Sequence, residues 1–210
     1  MGIVENDAFG RVLEALRESG FLLESDPNLP SICVLVTGER PRGSWWSHPM
    51  AHTIFAVNER LARHPDVLVT KLVSGKVTFV ERRLWPNLVA IGSSRSRWQM
   101  ARLSESAKAL LARVDASDYL RTDQIVWPET LQAKPGDATR ELEKKVLAVT
   151  TQIHTETGKH AKQIESWQRW AARHQLPRPN PSVEEAMTYF MQRLVKLNAD
   201  FSGRARLPWA

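Results

Sequence analysis

One cysteine in 210 residues, Cys33, cannot close an intrachain disulfide, so no covalent staple holds this chain. It sits inside the apolar run "SICVLV" and reads as a small buried hydrophobe. No apolar run approaches the roughly 18 residues that cross a bilayer. The opening "MGIVENDAFG" also lacks a basic segment followed by an apolar core. These two absences predict a soluble, cytoplasmic protein with no membrane partner. Missing too are the Gly-Lys-Ser/Thr ending of a Walker loop, the G-x-G-x-x-G fingerprint and the G-x-S-x-G elbow, and no cofactor is expected. Tyrosine is scarce, with 2 residues, whereas tryptophan is plentiful, with 8.

Positive charge is present in excess and is unevenly placed. Residues 1–37 carry 2 basic and 6 acidic side chains, residues 38–102 carry 11 and 4, and residues 103–210 carry 16 and 13. The basic middle third suits an anionic partner, either nucleic acid or another phosphate-bearing ligand.

Hydrophobic spacing predicts an α+β fold. Phe9, Val12, Leu13 and Leu16 recur at helical intervals before Gly20. The β-branched run at 31–37, bounded by Pro30 and Gly38, predicts a buried strand. Pro49 then opens a helix through Met50, Ile54, Val57 and Leu61. The stretch "DVLVTKLVSGKVTFVERRLW" predicts a hairpin turning at Ser74 and Gly75, with Lys71 opposite Thr78 and Thr70 opposite Phe79. Both of its faces are apolar, so both need a cover.

These elements make a small mixed sheet, with strands near 31–37, 67–73 and 77–82, flanked by helices. Residues 1–115 form an α+β domain and 116–136 an irregular linker. Residues 137–200 read as all-helical, through Leu142, Val146, Val149 and Ile153, a break at "ETGKH", then Ile164, Trp167 and Ala171, and a last helix opened by Pro181 and Ser182. Residues 201–210 read as a mobile tail. A winged-helix-like N-terminal domain is the alternative, but it needs two helices before the hairpin, and a strand at 31–37 leaves one.

The loop "GERPRGSWWSHP" concentrates the functional signal. Arg40 and Arg42 offer forked donors for phosphate or carboxylate. Trp45 and Trp46 are adjacent, so one ring can face the core while the other stays available for stacking on a base or sugar. His48 can cap the following helix, contact an anion or, as a weak candidate, act as acid/base. His48 and His52 are four apart, but no third ligand accompanies them and no metal is expected. If the strand at 31–37 shares a sheet with the hairpin, the loop leaves the sheet edge that carries Lys71 and Lys76, near Arg82 and Arg83.

The leading expectation is therefore a nucleic-acid-binding protein using a basic, tryptophan-containing loop at a sheet edge. Two other readings compete with it. One is an enzyme or receptor for a phosphorylated or carboxylated small molecule at the same loop. The other is an assembly module that forms homo-oligomers through its C-terminal helices.

Overall fold

The computed structural model describes all residues except 1–2, 132, 156–157, 159 and 178–180. The α+β class is observed, with two three-stranded antiparallel sheets among helices. The chain divides into two compact units: residues 1–85 with 188–208 and 210, and residues 86–187 with 209.

The first unit begins with α1 (Ile3–Ser19) and β1 (Phe21–Leu23). Between them Gly20 adopts φ +83°, where a Cβ would also meet Leu84 Cδ1 at 2.8 Å. The segment predicted as a strand at 31–37 is instead helix α2 (Ile32–Thr37). Gly38, at φ 75°, closes it by donating its N–H to the Val34 carbonyl at 2.8 Å, and the Ser31 hydroxyl caps its other end. Buried Ile32, Cys33 and Val36 share one side. Capping and helical burial override the β-branched composition here.

Next come α3 (Ala51–Ala62), β2 (Val67–Lys71) and β3 (Val77–Glu81). The sheet order is β1-β3-β2, antiparallel throughout, so the expected mixed sheet and strand crossover are absent from it. With α2 supplying a second helix between β1 and α3, the first unit has the element order α1-β1-α2-α3-β2-β3. The hairpin differs in register from the expected pairing, because Lys71 faces Val77 and Thr70 faces Thr78. Its connection is longer than two residues and contains a 3-10 turn at Val73–Gly75, held by the Val73 N–H on Thr78 Oγ at 3.2 Å.

That one-residue slip decides the faces. Val67, Val69, Val77 and Phe79 join the core formed with α1, α2 and α3. Leu68, Thr78 and Val80 are buried on the other side, where Phe21, opposite Val80, meets the Phe190 ring at 6.2 Å. Phe190 belongs to α9 (Val183–Phe201), whose start is fixed by reciprocal bonds between Ser182 and Glu185. Trp85 adds its indole N–H to the Val80 carbonyl at 3.1 Å.

The segment 201–210, predicted mobile, is packed in part. Leu207 is buried, Asn198 bonds both backbone groups of Ala205, and Ser74 exchanges bonds with the backbone of Arg206 at 2.7 and 3.1 Å.

The second unit holds α4 (Trp85–Ser93), α5 (Arg97–Met100), α6 (Glu105–Ala116), β4 (Leu120–Arg121), α7 (Pro135–Lys144), β5 (Val149–His154), β6 (His160–Glu165) and α8 (Trp167–Arg173). The all-helical expectation for 137–200 is corrected by β5 and β6, which pair over six positions in the order β4-β6-β5. Helix α7 stops before Val146, which turns the chain at φ 54°, and the β-branched run that follows finds a partner strand. The expected helix break at "ETGKH" falls largely outside the described residues. Ile164 packs with Leu110, Leu142 and Leu147, and Trp167 and Trp170 of α8 are buried, as their spacing predicts.

Candidate functional site

The basic, tryptophan-bearing loop joins α2 to α3 and therefore leaves no sheet edge. It ends in a 3-10 turn, Trp45–Ser47, closed by the His48 N–H on the Trp45 carbonyl at 3.0 Å. The Ser47 hydroxyl donates to the Ser44 carbonyl at 2.8 Å. His48 Nδ1 accepts the Met50 N–H at 3.0 Å, so the imidazole orders the entry to α3.

The turn separates the two tryptophans. Trp45 is 8% exposed and joins the core, whereas Trp46 is 63% exposed. Their rings stack with centroids 4.0 Å apart and planes 23° apart. Phe55, exposed on α3, lies 5.7 Å from Trp46 in a tilted arrangement. An aromatic platform results, with its lower ring anchored and its upper ring open to solvent. Phe55 was not singled out from the sequence, although it interrupts the polar side of α3, away from the stripe of Ile54, Val57 and Leu61.

The anchor is polar as well as apolar. Glu24 lies beside the Trp45 indole and accepts the Asn58 amide N–H at 3.4 Å. Its own backbone is held by Val77 and Cys33. Burial pushes the Glu24 pKa up, and the Trp45 indole offsets part of that rise. Burial likewise pushes the Cys33 thiol up to about 11, which leaves it unreactive near neutrality. The buried Asn58 Oδ1 has no partner.

A carboxyl whose pKa is raised by folding contributes stability below its unfolded value, and loses it as pH rises through the folded value. Glu24→Gln keeps an acceptor beside Trp45 and supplies an N–H for Asn58. Its stability advantage over the native chain is therefore expected to grow as pH rises above the ordinary carboxylate range of about 4. Thermal unfolding at several pH values checks this, and a pH-independent difference would refute it.

The predicted cations divide into two groups. Arg40 and Arg42 are exposed, and with Lys71 they make no side-chain hydrogen bond or ion pair among the described residues. Lys76 instead pairs with Asp26 at 2.7 Å. Burial works to raise the Asp26 pKa, but Lys76 and the N–H groups of Leu29 and Asn28 prevail and hold it below its usual value. Arg82 lies 4.0 Å from Asp66 and over the Trp85 ring at 5.0 Å. Arg83 pairs with Glu81 at 3.1 Å and donates to the carbonyls of Arg17 and Glu18. Lys76, Arg82 and Arg83 thus tie the fold together. The expected convergence of the loop on the Lys71–Lys76 turn rested on a strand at 31–37, which is helix α2; the turn itself is bonded to Asp26 and Arg206.

Among the described residues, no three His, Cys, Asp or Glu side chains gather as a metal site, and no helix is long and apolar enough to cross a membrane. Comparison of the chain with protein-family models, curated proteins and solved structures gives no match.

Proposed function

We propose that the α2–α3 loop binds nucleic acid, with Trp46 stacking on a base and Arg40 and Arg42 holding phosphates. The observation that carries this reading is the Trp46 ring, open to solvent yet stacked on the buried Trp45 ring. A large apolar surface held rigid in water loses little conformational entropy when a flat ligand covers it. Stacking of a base on an aromatic ring contributes about 1–3 kcal/mol and tolerates any base. Cations without internal partners are the ones able to replace the counterions of a phosphate backbone. The pair of helices before the hairpin agrees with it by analogy to a winged helix, although fold alone does not assign function.

Charge reversal separates this reading from general basicity. Arg40→Glu with Arg42→Glu is expected to weaken oligonucleotide binding by more than about 10-fold near 0.1 M salt. The slope of log affinity against log salt should fall by about 1.4 if two single-strand phosphate contacts are lost. Titrations of both proteins over a salt series give the two numbers. An unchanged affinity and slope would rule out these arginines as phosphate contacts. Competition by a mononucleotide as strong as by an oligonucleotide would favour a small-molecule receptor at the same loop.

A further inference from the structure

We infer that the nucleic acid taken by this loop is single-stranded, in preference to duplex. This rests on the nucleic-acid reading of the same loop and is carried by what the other surfaces of the first unit are doing. In a helix-turn-helix, the second helix enters the major groove, its side chains meet base edges, and cations nearby hold the flanking phosphates. Here that helix is α3, and its cations are engaged within the protein. Arg60 lies over the Phe9 ring at 3.8 Å and donates to Asn6 at 2.7 Å, and Arg63 pairs with Glu59 at 2.6 Å. The N-terminal half of α3 presents Phe55 beside Trp46. An aromatic pair at that position offers the major groove one indole N–H and otherwise apolar surface, a poor match to the paired donors and acceptors of base edges.

The hairpin, which in a winged helix supplies backbone contacts, is occupied at its tip, although Lys71 on β2 makes no side-chain bond among the described residues. Ser74 at its tip is bonded through both its N–H and its hydroxyl to the backbone of Arg206, and Lys76 is paired with Asp26. What remains open on the α2–α3 loop is an indole face with two cations without internal partners, four and six residues before it. A duplex hides the faces of its bases inside the stack, whereas a single strand can lay an unstacked base on Trp46 while its phosphates reach Arg40 and Arg42.

The test is fluorescence anisotropy of the full chain with labelled single strands of about 12 nucleotides, one DNA and one RNA, and with the blunt duplex of the same sequence, at one salt concentration. The single strands are expected to bind at least about 10-fold more tightly than the duplex, in line with one to two stacked bases. Trp46→Ala should remove that preference, and Trp46→Phe should keep most of it. The DNA and RNA arms show which backbone is preferred. Equal or tighter binding of the duplex, or a preference that survives Trp46→Ala, overturns the single-strand inference and leaves the nucleic-acid reading standing. Absence of binding in all three arms overturns that reading, and this inference with it.

Discussion

Replacing Trp45 with alanine is expected to destabilise the first unit by about 3–5 kcal/mol, the usual cost of deleting a buried aromatic side chain. The indole is 8% exposed and packs with Ile54, Val36 and the neighbouring core. Its loss also removes the indole beside the Glu24 carboxyl, whose pKa burial already raises. Trp45→Phe keeps much of the ring volume and deletes only the N–H, so it is expected to fall between the two proteins. Urea unfolding followed by circular dichroism measures both variants. A Trp45→Ala change below about 1 kcal/mol would mean that the lower ring does not anchor the platform.

The second large effect lies in the other unit. Gly92→Ala within α4 places a Cβ 2.2 Å from Cδ1 and Nε1 of Trp167 and 2.5 Å from Cε2. That ring has no room to retreat: it is 1% exposed, donates its N–H to the Val146 carbonyl at 2.9 Å and meets the Trp170 ring edge-on at 5.8 Å. Helix propensity alone favours alanine over glycine by about 1 kcal/mol, so the two effects have opposite signs. Overpacking is expected to win, with a net destabilisation of about 2–3 kcal/mol. A lowered urea midpoint together with an altered near-ultraviolet tryptophan signal is the predicted result. A stabilised variant would show that Trp167 yields easily.

Helical periodicity made α1, α3 and the α8 tryptophans legible, because each shows a clear apolar stripe over its own length. The run at 31–37 reads as a strand because six consecutive apolar or β-branched residues look alike in a buried strand and a buried helix. What decides between them is the Gly38 cap, a weaker local signal. A strand at 31–37 leaves no helix pair and sets the loop at a sheet edge, whereas α2 supplies the pair and starts the loop from a helix end. Val146, Val149 and Ile153 share helical spacing by coincidence, while the pairing of β5 with β6 depends on residues about ten positions away.

The site was half legible. Adjacent tryptophans cannot readily share one core face, which predicts that one ring is structural, but only the 3-10 turn assigns burial to Trp45 and exposure to Trp46. Composition counts cations without revealing their partners. Lys76 finds Asp26, fifty residues earlier, and Arg83 reaches the end of α1. Glu24 and Asn58 carry no motif, and they matter because the fold brings them to the Trp45 indole.

The central claim is that an exposed, rigidly seated Trp46 contacts a base. Its most direct measurement is the affinity of Trp46→Ala for a single-stranded oligonucleotide, taken beside its thermal midpoint. Because the ring is 63% exposed, the midpoint should move little, while affinity falls about 5- to 150-fold, matching the loss of about 1–3 kcal/mol of stacking. Native affinity in a variant of native stability would contradict the account.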